Sequence, residues 1–170
     1  MRLPGALRVG DSITRTSTIA EVNHKSGKSG DLVFVLVKHA IAGPDGVCVE
    51  EEHDIVYRGA SDPDVLPPPA KTAPTDADWS RTIDPNPVLL FRYSALTFNG
   101  HRIHYDLAYV TEEEGYPGLI VHGPLIATLL MDLCRRERPK RQLVRFDYRA
   151  MSPLFHIAPF TVNGRLADDG

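Results

Sequence analysis

The sequence predicts an α+β fold in which antiparallel strands pack on one dominant helix. Three features point there. The first third holds three β-rich runs divided by turn residues, a proline-rich stretch interrupts the chain after them, and the last half contains one strongly apolar helical segment followed by two strand-like runs.

The run Ile13 to Val22, rich in Thr, Ile and Val, reads as the first strand. The segment His24 to Gly30 follows as a turn, then Leu32 to Val37 as a nearly continuous apolar strand of the kind buried on both faces. Gly43-Pro-Asp-Gly46 turns the chain into a third strand, Val47 to Tyr57, completing an antiparallel meander with no helix of its own. Gly27-Lys28-Ser29 superficially suggests a phosphate loop, but the spacing of the second glycine is wrong and no helix follows.

Residues 61–78 carry Pro63, Pro67 to Pro69, Pro74 and several aspartates with little apolar content, as a linker does. The predicted organisation is therefore 1–60, 61–78 as linker, and 79–170. In the last part, Leu89, Leu90, Tyr93 and Leu96 lie at helical spacing within Val88 to Thr97, and Asp106 suits the N-cap of a weak helix reaching Glu114. The strongest helix runs from Pro124 to Arg136. Leu125, Ile126, Leu129, Leu130 and Leu133 form its apolar face, Pro124 fits its first turn, and Arg135 and Arg136 complement the dipole at its end. Leu143 to Ala150 and Pro159 to Leu166 read as strands. Asp168-Asp169-Gly170 then signals a hairpin whose return strand does not follow, so the second strand is expected to be an unpaired edge, and either the chain is truncated or a tandem or dimeric partner supplies the missing cover.

With 42% hydrophobic and 24% charged residues and a net charge of -3, the composition is that of an ordinary globular protein. Its mild acidity leaves no electrostatic footprint for nucleic acid or an anionic membrane surface. The long apolar stretch from Leu119 to Leu133 is broken by His122, Gly123, Pro124 and Asp132, so no membrane span is expected, and without a recognisable secretory signal the expected location is cytoplasmic. Cys48 and Cys134 are too few for a disulfide framework or a thiolate metal site and are expected to be reduced and structural.

Polar chemistry concentrates in Asn99, His101, Arg102, His104 and Asp106. A neutral histidine accepts a proton near neutral pH, and a neighbouring amide can hold a water beside it; Asn99 and His104, five residues apart, could converge in this way, or the segment could be a self-satisfied polar loop. His101 and His104 have a ligand-like spacing, but no third ligand is evident and no metal is expected. A second feature is the glycine-bearing passage from Gly115 to Leu125, which enters the apolar helix at Gly123. Backbone N–H groups there could serve a developing oxyanion, or simply begin a buried helix.

The segments Phe91 to Asp106 (Phe-Arg-Tyr-Ser-Ala-Leu-Thr-Phe-Asn-Gly-His-Arg-Ile-His-Tyr-Asp) and Glu114 to Leu125 (Glu-Gly-Tyr-Pro-Gly-Leu-Ile-Val-His-Gly-Pro-Leu) together resemble the MaoC-like hydratases and dehydratases, in their double hot-dog branch. The resemblance implies a hot-dog fold, a curved antiparallel sheet wrapping the central helix, here as an incomplete double hot dog. Its two units would share a continuous sheet and carry the site at their interface. It implies a hydro-lyase that adds water to, or removes it from, the C=C bond of an enoyl thioester, with short or dicarboxylic acyl-CoA such as mesaconyl-CoA or itaconyl-CoA as the substrate. Coenzyme A would enter as part of the substrate, with no separate cofactor, and the protein would be a homo-oligomer, as a dimer. His104 matches the family histidine as general base and acid. The family carboxylate falls on Asn99, which can only orient water, and Gly123 would polarise the thioester carbonyl. Tyr93, Tyr116 and His122 are candidates to line the acyl pocket and Arg102 to hold a free carboxylate; Arg92, Arg102 and Arg149 are candidates for the CoA phosphates. Hot-dog folds also host acyl-CoA-binding proteins and thioesterases, and both stay open as alternatives.

Overall fold

The computed structural model describes residues 1–27, 30–58 and 72–167. The chain forms two compact units, Met1–Pro69 with Leu143–Asp147, and Ala70–Gln142 with Tyr148–Gly170. Most of the proline-rich stretch, the terminal Asp168-Asp169-Gly170 signal, and Lys28 and Ser29 of the phosphate-loop lookalike lie outside the described residues.

The first unit is the predicted meander. Strands β1 (Thr14–Gly27), β2 (Gly30–Gly43) and β3 (Gly46–Arg58) form an antiparallel sheet in the order β1-β2-β3. The strands outrun their predicted bounds, and pairing persists to Gly27↔Gly30, so much of the predicted turn segment from His24 is strand. Gly43 pairs with Gly46, leaving Pro44-Asp45 as a two-residue turn closed by Gly46 at φ 114°. Central position is right for β2, but Leu32 to Val37 are only half-buried rather than covered on both faces. The reason is that this unit carries no helix among the described residues.

Leu143 to Ala150 corrects the prediction of a strand: only Arg145 forms an isolated bridge, to Arg2, which also bridges Glu50 of β3. Leu3 N donates to Val144 O and Phe146 N to Met1 O, both at 2.9 Å, joining this stretch to the short N-terminal segment, too brief a partner for a ladder. Cys48 is buried and free, as expected, whereas Cys134 is free but exposed, so only the first has a packing role.

In the second unit, β4 (Trp79–Ile83) pairs antiparallel with β5 (Phe160–Gly164), from Trp79↔Gly164 to Ile83↔Phe160. The predicted unpaired edge therefore has a partner. The ladders among the described residues form two separate sheets rather than one continuous one.

Helix α1 (Pro87–Thr97) begins where Asn86 Oδ1 accepts from Leu89 N at 3.0 Å, with Pro87 in the first turn, and ends at Phe98 in the left-handed region, φ 53°. Asp106 caps as predicted, accepting from Tyr109 N at 3.1 Å, but the helix it starts is brief and becomes a π-helical turn over Tyr109–Glu113. Helix α2 (Gly123–Glu137) is the predicted core helix. Its Leu125 packs with Leu90, Val110, Leu119 and Val121; its Leu133 packs with Ile83 and Val162, seating the β4-β5 sheet on the helix. At its exposed end Arg135 and Arg136 pair with Asp132, which also takes Arg81 of β4 at 2.9 Å and is held well below the usual carboxylate range by the guanidinium hydrogen bonds. Among the described residues, no helix is long and apolar enough to cross a membrane.

Candidate active site

Four pieces of the second unit converge around two histidines. They are the last turns of α1, the 3-10 turn Arg102–His104, the extended segment 119–121, and the start of α2. The extended segment is fixed by Ile120 N to Ile103 O (3.0 Å), Val121 N to Leu154 O (2.8 Å) and His156 N to Leu119 O (2.9 Å). That anchoring lets the Ile120 carbonyl oxygen meet His104 Nδ1 at 2.7 Å. A carbonyl only accepts, so Nδ1 carries the proton and the Nε2 lone pair is left to take one. Burial pushes the His104 pKa down; the Ile120 bond opposes that, and neighbouring His101 adds to it. His104 is therefore neutral at pH 7 in the tautomer a base needs.

His122 is fully buried and stacks on His104, ring centroids 3.7 Å apart and 18° from parallel. Its Nε2 lies 2.8 Å from the Ser94 hydroxyl, Tyr93 meets its edge at 4.9 Å, and among the described residues its Nδ1 has no hydrogen-bond partner. Burial, with His104 adding to it, lowers its pKa to about 4. Immediately after it, Gly123 opens α2, and the His122 side chain makes no capping hydrogen bond there. Pro124 has no N–H, so the Gly123 and Leu125 amides are the first donors of the helix, and a Cβ placed on Gly123 would meet nothing within 4 Å. An uncapped, unobstructed helix start beside a neutral histidine can receive an oxygen that gains negative charge.

Asn99 is half-buried just beyond α1. Its backbone N–H donates to Ser94 O at 2.9 Å and its Oδ1 accepts from His101 N at 3.0 Å. One lone pair of the oxygen is used in that turn; an amide is not a base, and its NH₂ group can donate to a water. Arg102 lies on the exposed side of the same segment, donating twice to Asp106 (3.0 and 2.8 Å) and lying 4.1 Å over the Tyr109 ring. Tyr93 and Tyr116 are half-buried walls of the core cluster, Tyr116 also facing the Phe155 ring at 6.1 Å.

The structure thus brings together His104, His122, Tyr93 and the start of α2, and engages Arg102 with Asp106. Sequence reasoning missed Ser94, the Ile120 carbonyl and His156, whose Nδ1 accepts from Leu119 N at 2.9 Å. Ser94 did leave a signal: it lies four residues after Leu90 on the buried stripe of α1, where an apolar residue would be the default.

The sequence profile of the hydroxyacyl-thioester dehydratase type 2 family matches residues 2–156. Over 165 residues the chain is 48% identical to a protein named mesaconyl-C(4)-CoA hydratase from Chloroflexus aurantiacus, covering 97% of this chain and 59% of that protein. A mitochondrial hydroxyacyl-thioester dehydratase type 2 from Schizosaccharomyces pombe is 32% identical over 118 residues, 68% of this chain and 39% of its own length. The chain thus spans between two fifths and three fifths of these relatives. Among solved structures, a MaoC-like dehydratase from Phytophthora capsici superposes with a TM-score of 0.71 over 98% of this chain and 60% of its own, at 15% identity. The peroxisomal multifunctional enzyme type 2 of Drosophila melanogaster gives 0.54 over 79% of this chain and 25% of its own, also at 15% identity. At that identity the likeness is one of fold, and the fold is the MaoC-like hot dog. The sequence matches carry further: the chain belongs to the hydroxyacyl-thioester dehydratase type 2 family.

Proposed function

We propose that this protein is a hydro-lyase that reversibly adds water to the C=C bond of an enoyl-CoA thioester, with a short or dicarboxylic acyl group of the mesaconyl or itaconyl type. One observation carries the reading: His104, buried and neutral, donates through Nδ1 to Ile120 O and so offers Nε2 as a base. The name of the relative sharing 48% identity supports the substrate class.

In the hydration direction His104 Nε2 takes a proton from a water that the Asn99 amide orients. The water oxygen forms a bond to the β-carbon while the C=C π pair moves toward the thioester carbonyl. The Gly123 N–H stabilises the resulting enolate oxygen. His104 then returns its proton to the α-carbon, so the enzyme ends as it began. Coenzyme A enters as part of the substrate, and a dimer of this chain is part of the same reading, checked by sedimentation.

The test is a hydration assay with crotonyl-CoA, mesaconyl-CoA and itaconyl-CoA, following loss of the unsaturated thioester together with release of free thiol. Loss without thiol release is the expected result, and His104→Ala should reduce it by about 10²–10⁴-fold. Thiol release would identify a thioesterase instead. Tight binding without turnover would favour a non-catalytic acyl-CoA-binding protein, a reading that draws on the amide standing where the family places a carboxylate.

A further inference from the structure

The hydratase reading uses His104, Asn99 and Gly123 but gives no task to the most deeply enclosed polar pair of the unit, Ser94 and His122. Both are buried, His122 completely, and among the described residues their side chains hydrogen-bond to each other, at 2.8 Å. A buried imidazole with an unpartnered nitrogen costs stability, so its presence calls for a role that offsets the cost.

Counting hydrogens assigns the pair. If Ser94 donates its hydroxyl to His122 Nε2, a single group stays unsatisfied, the Nδ1–H. If Nε2 donates instead, both the Ser94 hydroxyl hydrogen and the Nδ1 lone pair go without a partner. The first arrangement leaves fewer buried orphans, so Ser94 is the donor and His122 is held neutral, protonated on Nδ1. The anchored ring then lies face to face with His104 at 3.7 Å and 18°. Two stacked imidazoles this close tolerate little charge, and among the described residues no carboxylate is hydrogen-bonded to either ring. The titratable groups facing them are His101, edge-on to His104 at 5.7 Å, and Tyr93, edge-on to His122. The nearby charged pair Arg102–Asp106 is closed on itself at the exposed surface.

We infer that Ser94 and His122 are a positioning pair for His104: the Ser94 hydroxyl fixes the His122 ring, and the stacked ring fixes the plane of His104 and keeps its Nε2 proton-free. This rests on His104 being the proton-transfer group of the proposed reaction, yet it concerns the state of the ring and is measurable without turnover.

The experiment is a pH titration of the full chain by ¹³C/¹⁵N-histidine NMR, comparing the parent with His122→Ala, Ser94→Ala and Ser94→Thr. In the parent, His104 keeps the Nδ1–H tautomer and titrates below the ordinary histidine range. In His122→Ala, water reaches the exposed face of His104, so its midpoint moves up toward that range and both tautomers appear. Ser94→Ala moves it the same way by less, and Ser94→Thr, which restores the hydroxyl, returns it toward the parent. Should His122→Ala fail to fold, Ser94→Ala decides alone. A His104 midpoint and tautomer in folded Ser94→Ala that match the parent overturn the inference. In the hydration assay, Ser94→Ala should lower kcat about tenfold with KM within about twofold. Absence of hydration by the parent would defeat the functional reading while leaving the titration result standing.

Discussion

Acidification offers the sharpest quantitative test of the buried stack. The His122 pKa is lowered from 6.5 to about 4, so between these values an unfolded chain binds a proton that the folded one refuses. Stability is therefore complete above about pH 7, declines as the pH falls through the unfolded value, and has lost its full increment below about pH 4. At about 1.4 kcal/mol per unit, complete burial of the ring makes that increment about 3 kcal/mol, of which about 2 kcal/mol disappears between pH 7.5 and pH 5. His104, also lowered by burial, adds in the same direction. Asp132 does not interfere, because its arginine partners keep it ionised throughout this window.

Trp79 is the only tryptophan and packs beside Ile83, Leu133 and Val162, so its fluorescence reports unfolding of the unit that holds the stack. Urea titrations at pH 7.5 and 5 should differ in midpoint by about 1 M. His122→Phe retains a ring against His104 but cannot bind the proton, and it should remove the His122 share of the difference. Equal midpoints at the two pH values, or a difference unchanged in His122→Phe, would refute the assignment of His122 as the buried neutral group.

Three substitutions test neighbouring parts of the site. Gly123→Ala has room for its methyl and needs no positive φ, so Tm should change little. The N–H stays, but a thioester held against it would meet the new methyl in the open space beside Gly123, so hydration should fall about tenfold, and unchanged turnover would count against that role. Gly118→Ala tests packing instead. Its Cβ would lie 2.8 Å from the His156 ring, itself pinned by Leu119 N, so chemical denaturation should show a loss of about 1–3 kcal/mol; a neutral result would mean that the loop relaxes freely. Asn99→Asp can still accept from His101 N while adding an anion to the turn that leads into His104. An anion favours the imidazolium, so the acid limb of the pH–rate profile should move to higher pH. An unmoved limb would separate Asn99 from the histidine.

The long elements of the fold were legible because each has its own periodicity or punctuation. The apolar face of α2 and the Asn86-Pro87 start of α1 declare helices, and Gly43-Pro-Asp-Gly46 declares a hairpin whatever surrounds it. Elements that depend on a distant partner were harder. Trp79–Ile83 alternates in burial as a strand should, but only Phe160–Gly164, far along the chain, makes it one. Leu143 to Ala150 shows the converse, since its strand-like composition forms a single isolated bridge, from Arg145 to Arg2 of a short N-terminal segment. Composition records a preference for extended backbone, whereas a ladder also requires a partner of matching length.

The same distinction runs through the site. Residue types alone identify histidine, amide and a glycine at a helix start as groups capable of proton transfer, water orientation and anion stabilisation. They do not say which nitrogen of His104 carries the proton. That depends on the Ile120 carbonyl at 2.7 Å, and the neutrality of the ring depends on His122 stacked at 3.7 Å, with Ser94 behind it. Ser94, His104, Ile120 and His122 come from four different local structures, and no short motif expresses their convergence. Because one contact selects the tautomer and another withholds solvent, substitutions at Ser94 or His122 should alter when His104 accepts a proton without removing any group assigned to the reaction.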